Sequence, residues 1–129
     1  MRKLLIVVAT LAALYFAVRH VQKAYGDELT KPAPAGFAEC LAKKGYAVYG
    51  ATWCHWCKAQ KAALFGNENT ERPPYVNCQT VYGASLHAEC KGKPIEGFPT
   101  WLGPSGQPTN PNGFMTPKQL SDLSGCPLK

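Results

Sequence analysis

The chain has 129 residues, 46% of them hydrophobic, with 14 basic and 8 acidic side chains and a formal net charge of +6. Arg2, Lys3, Arg19 and Lys23 all precede the first acid, so only +2 remains from Asp27 onward. That near balance leaves no case for a nucleic-acid binder, which would carry a basic stripe on its folded part.

Residues 4–18 (LLIVVATLAALYFAV) contain no charge and are bracketed by Arg2 and Lys3 on one side and Arg19 and Lys23 on the other. This is the layout of a signal anchor or a secretory signal peptide. The run is shorter than the roughly 20 residues a straight spanning helix prefers, but a snorkelling Arg19 lets it continue to Val21. No small-x-small cleavage site comes directly after it, and Ala24-Tyr25-Gly26 lies late, behind two cations. The expectation is therefore a retained helix over residues 1–25, with secretion after cleavage as the alternative. Cations at the N-terminus keep that end in the cytoplasm and export the downstream chain. Residues 26–35 (GDELTKPAPA) have the composition of an extended Pro/Ala linker. Residues 36–129 are expected to form one small domain.

Within that domain, residues 37–44 (FAECLAKK) place Phe37, Cys40 and Leu41 at helical spacing, with Gly45 as a stop. Residues 46–49 (YAVY) predict a buried strand. From Cys54 a run of good helix formers ends at Gly66. Residues 67–74 predict a loop and 75–77 a second strand. Residues 85–90 predict a helical turn and 98–102 a third strand. Residues 107–113 (QPTNPNG) are too rich in Pro and Asn for a central strand, so any pairing there lies at an edge. Thr116 and Pro117 open a last helix that turns Leu120 and Leu123 inward and ends at Gly125. Alternation of this kind implies an α/β fold with a mixed sheet and helices on both faces.

All six cysteines, Cys40, Cys54, Cys57, Cys78, Cys90 and Cys126, lie in the exported part. An even, dense set behind an export signal reads as disulfides in an oxidising compartment. Cys54 and Cys57 stand where a strand gives way to a helix, and residues three apart share a helix face, so their sulfurs can meet. A helix N-terminus stabilises a thiolate, which is the attacking species in disulfide exchange. Cys54 is thus the candidate nucleophile and the redox disulfide is Cys54–Cys57. Cys57, one turn inward, suits the resolving role. Haem attachment is excluded because Lys58, not His, comes after Cys57. A zinc ribbon would want a second Cys-x-x-Cys, whereas eleven residues separate Cys78 from Cys90. A metal site using His55, or His87 near Cys90, stays open. Lys58 and Lys61 read as solvated charges.

Trp53-Cys54-His55-Trp56-Cys57 after a strand and Phe98-Pro99-Thr100 far downstream resemble the two signatures of the thioredoxin fold. More narrowly, residues 36–125 resemble the thioredoxin-like domain associated with bacterial and plant homologues of vitamin K epoxide reductase. That likeness is carried by FAECLAKKGYAVYGATWCHWCKAQKAALFG, YVNC, FPTW and LSDLSG. The resemblance implies that Cys54 attacks, Cys57 resolves, and Pro99 packs beside them after a cis Phe98–Pro99 bond. It also implies that the backbone of Phe98 meets an extended substrate and that Cys78–Cys90 is a structural bridge. Trp53, His55, Trp56, Phe98, Pro99 and Thr100 are the implied supporting residues. Two positions depart from the pattern. Val48 stands where cytosolic thioredoxins bury an aspartate, and His55-Trp56 stands where relatives commonly carry Pro-His. Cys40 and Cys126 remain over, one in the first helix of the domain and one past its last, and a Cys40–Cys126 bridge is the expectation.

The resulting expectation is an extracytoplasmic thiol–disulfide oxidoreductase, in a periplasm or thylakoid lumen, that needs no metal or organic cofactor. Its partners would be exported cysteine-containing proteins and, by resemblance, a quinone-coupled membrane oxidase of the vitamin K epoxide reductase type. A reductase or isomerase fed by a membrane thiol carrier, a metal-binding or metallochaperone domain, and a disulfide-stapled recognition module displaying Trp53 and Trp56 are the alternatives.

Overall fold

A computed structural model describes the backbone of residues 1–129 and the side chains of all but Tyr25 and residues 27–30. It divides into two compact units, Met1–Lys31 and Pro32–Lys129.

The first unit is one helix, α1 (Arg2–Thr30). Its segment Arg2–Ala24 contains an 18-residue window of mean hydropathy 2.0 and is long and apolar enough to cross a membrane. The helix continues through residues 26–30, so an extended linker beginning at residue 26 is not what forms. The first proline is Pro32, and a proline disfavours helix only in the residue before it and onward. Upstream of Lys31 nothing breaks the hydrogen-bond ladder.

The second unit begins with residues 32–36, which dock onto the domain through Ala33 N–H donating to the Ala63 carbonyl at 2.7 Å. Then come α2 (Phe37–Lys43), β1 (Ala47–Ala51), α3 (His55–Phe65), β2 (Tyr75–Gln79), a 3₁₀ turn (Ala88–Cys90), β3 (Thr100–Leu102) and α4 (Pro117–Ser124). The strands lie in the order β2-β1-β3. β1 runs parallel to β2, with Val48 opposite Tyr75, and antiparallel to β3, with Val48 opposite Trp101.

Alternation along the strands separates two cores. Val48, Tyr75 and Trp101 point to one face, where Phe37 and Leu41 of α2, Cys57 and Leu64 of α3 and Leu120 of α4 cover them. Tyr49, Cys78 and Leu102 point to the other face, covered by Cys90, Leu86 and Ile95. The expectation of helices on both faces is corrected here. The three α-helices of the domain feed one core, and among the described residues the opposite face carries the 3₁₀ turn and its flanking loops. The chain between β2 and β3 contains Gly83, Gly92, Pro94 and Gly97, which confine any helix there to residues 84–91, where only the 3₁₀ turn Ala88–Cys90 forms.

Local chemistry ends the elements cleanly. Gly66 caps α3 at φ 72°, a left-handed conformation that favours glycine. Thr116 and Gln119 form a reciprocal capping box at the start of α4. The outer edge of β3 is closed by a side chain. Trp101 N–H donates to Asn112 Oδ1 at 2.9 Å, and Asn112 Nδ2 donates back to the Trp101 carbonyl at 3.0 Å. Leu102 pairs with Pro108 as an isolated antiparallel bridge. Away from the sheet, Arg72 binds Glu39, and its guanidinium holds that carboxyl below the usual carboxylate range.

Candidate active site

The turn after β1 delivers two cysteines to the start of α3. Cys54 is the N-cap: its Sγ accepts the Cys57 N–H at 3.2 Å, and its carbonyl accepts the Lys58 N–H at 3.2 Å. The sulfurs of Cys54 and Cys57 are bonded, with Cα atoms 5.2 Å apart. Cys54 keeps 6% of its surface exposed and Cys57 none. Cys54 therefore keeps a small exposed surface at the positive end of an eleven-residue helix, while Cys57 is sealed within the core.

The residues predicted to support the pair surround it unevenly. Trp53 is 41% exposed and is held in place: its Nε1 donates to Gln79 Oε1 at 2.8 Å. Gln79 Nε2 in turn donates to the Ala84 carbonyl. This tethers the loop after β2 to Trp53. Tyr82, at the tip of that loop and 78% exposed, meets the Trp53 ring edge-on at 4.8 Å. Phe98 meets Trp53 from another side at 6.0 Å. Trp56 is 57% exposed and touches Phe114 at 5.6 Å. His55 is exposed, with its ring against Trp56 at 5.6 Å, which is the solvent-facing orientation.

The Phe98–Pro99 bond is cis, as are Pro73–Pro74 and Asn110–Pro111. Pro99 is buried, and Thr100 opens β3 with its hydroxyl donating to the Gly97 carbonyl at 2.6 Å. A cleft of about 470 Å³ runs along Phe98, Pro99 and Thr100, with Glu96, Pro108 and Asn112 in its walls.

The other four cysteines are bonded as Cys78–Cys90 and Cys40–Cys126. The first closes the base of the loop that carries Val81 and Tyr82. The second joins the first helix of the domain to the chain beyond α4. Among the described residues no cysteine is unpaired and no three His, Cys, Asp or Glu side chains converge on one point.

Three side chains depart from their reading in the sequence or escape it. Lys61 is not solvated: it is 3% exposed, 3.4 Å from Glu71 and 4.9 Å from the centre of the Tyr75 ring. Gln60 is fully buried beside it, and Gln79 anchors Trp53. The signal for the first two is present. Residues 57, 60, 61 and 64 share one face of an α-helix, so a buried Cys57 and Leu64 imply a buried Gln60 and Lys61. Gln79 has no such marker, because its role depends on pairing with a turn 26 residues upstream.

No family model matches the sequence. The chain is similar to the thiol-disulfide oxidoreductase LTO1 of Arabidopsis thaliana, at 34% identity over 112 residues, covering 76% of this chain. The match covers 30% of the length of that protein.

Proposed function

We propose that this chain is a membrane-anchored thiol–disulfide oxidoreductase of thioredoxin-like architecture, working outside the cytoplasm through Cys54 and Cys57. The observation that carries the reading is the asymmetry of the pair, with one sulfur at the rim of a helix N-terminus and its partner beneath it. The similarity to a protein named for this chemistry supports it.

In the oxidising direction a substrate thiolate attacks Cys54 Sγ. The Cys54–Cys57 bond breaks, and Cys57 leaves as a thiolate that takes a proton. A second substrate thiolate then attacks the substrate sulfur of the mixed disulfide, which forms the substrate disulfide and releases Cys54 as a thiolate. Two electrons have passed to the enzyme. Trp53, Trp56 and Tyr82 give the rim an exposed apolar surface suited to residues flanking a substrate cysteine. The cleft beside Phe98 gives an extended chain room to lie. By resemblance, a quinone-coupled membrane oxidase of the vitamin K epoxide reductase type would withdraw the electrons again. Residues 2–24 would anchor the domain on the exported side, in a periplasm or thylakoid lumen.

Cys57→Ser tests the assignment. With Cys57 removed, a Cys54 thiolate that attacks the disulfide of an oxidised substrate, the reverse of the last step above, has no neighbouring thiol to release it, so mixed disulfides to exported proteins should accumulate through Cys54, appear on non-reducing gels and vanish on reduction. Adducts that persist in Cys54→Ser, or none at all in Cys57→Ser, would remove Cys54 from its role. Captured partners that are themselves disulfide-rich when mature support oxidation; capture of a membrane thiol carrier alone would reverse the direction of flow.

A further inference from the structure

We infer that Gln60 is a positioning residue for the resolving step, a role that rests on the Cys54–Cys57 chemistry proposed above. Gln60 has no exposed surface, yet its amide is paired on both ends. Oε1 accepts the Met115 N–H at 2.8 Å and the Trp101 Nε1–H at 3.2 Å, and Nε2 donates to the Met115 carbonyl at 2.9 Å. The amide satisfies three buried polar groups from two other segments of the chain, which a leucine or methionine would leave unpaired.

The amide specifies registry around the sulfurs. Cys57 and Gln60 lie one turn apart on the buried face of α3. Pro99 lies just before β3 and Trp101 within it. The Gln60–Trp101 bond therefore joins α3, one turn past Cys57, to β3. The bonds to Met115 fix the chain beside Phe114, whose ring meets Trp56 on the rim. One amide thus ties together the helix that carries Cys57, the strand after Pro99 and the loop that supports Trp56.

Cys54 and Cys57 do not depend on this registry equally. Cys54 is the cap residue at the rim, and its partner comes from solvent. Cys57 must reach Cys54 Sγ along the axis of the mixed disulfide. It loses its proton to water and attacks; the Cys54–Cys57 bond forms as the bond from Cys54 to the substrate sulfur breaks, and that sulfur departs with the electron pair. A roll of α3 misdirects the second attack far more than the first.

The test uses the full chain in detergent, reduced and mixed with oxidised glutathione, with acid quenching and mass spectrometry. Two rates are read: formation of the Cys54–glutathione mixed disulfide and its conversion to Cys54–Cys57. Gln60→Met should leave the first within about twofold and slow the second roughly tenfold, a modest share of what an ångström of misplacement can cost. Trp101→Phe, which removes only the indole donor and some ring, should slow the same step by less, and it serves alone if Gln60→Met does not fold. The double variant should be no slower than Gln60→Met. Unchanged partition in folded variants, or both rates falling together, would overturn the role of Gln60 while leaving the Cys54–Cys57 reading intact. A wild-type chain that forms no mixed disulfide at Cys54 would overturn both.

Discussion

Tyr75 carries a buried hydroxyl that has no hydrogen-bond partner among the described residues. Its ring lies under Lys61, and the phenol reaches across to Gly50, where an added Cβ would come within 2.8 Å of the ring carbons. Glycine at that position is therefore a requirement of packing, not of backbone conformation. Burial, and secondarily the charge of Glu71, push the phenol above its ordinary pKa, so it stays neutral. A neutral orphan hydroxyl is a cost with no visible return in stability. Tyr75→Phe should raise the unfolding free energy by about 1 kcal/mol, read from urea midpoints under oxidising conditions. A loss of similar size would show that the hydroxyl has a partner in solution.

Among the elements, β3 is the most exposed to error, being three residues long and at the edge of its sheet. Asn112 completes it by pairing both backbone groups of Trp101, beside the Thr109 N–H that donates to the same carbonyl at 3.0 Å. Asn112→Ala should cost about 1–2 kcal/mol and increase amide hydrogen exchange at Trp101. Exchange unchanged at Trp101 would mean that the neighbouring segment, not the side chain, protects it. The same element marks where the sequence stops being legible. Residues 107–113 read correctly as unsuited to a regular strand, because proline and asparagine carry that information locally. That one asparagine would pair with the strand edge is a long-range fact with no periodicity to betray it. The helices of the domain, by contrast, can be read almost to the residue, since caps and glycine stops lie within one turn of the ends they define. The bond between Cys54 and Cys57 is legible for the same reason. Gln60 is harder to read, although the period that buries Cys57 buries it too, because a polar side chain on a helix reads as surface.

Across the whole molecule, Cys40–Cys126 is the longest covalent closure, spanning 86 residues. By loop-entropy reasoning such a bridge contributes roughly 4 to 5 kcal/mol, against about 3 kcal/mol for Cys78–Cys90, whose loop is far shorter. Replacing both Cys40 and Cys126 with serine should lower stability by that larger amount and leave exchange at Cys54 unchanged well below the new melting temperature. Lost exchange in a still-folded variant would give this bridge a part in electron transfer. The bond has a mechanical consequence too. A pull arriving along α1 passes Pro32 and reaches Cys40 before any strand. If the opposing pull acts on the residues past Cys126, two sulfur atoms carry the tension from Cys40 to Cys126, and the polypeptide between them, with β1, β2, β3 and α3, is spared it once the Ala33–Ala63 hydrogen bond has given. Reducing that single bond would put the sheet itself in line with the force.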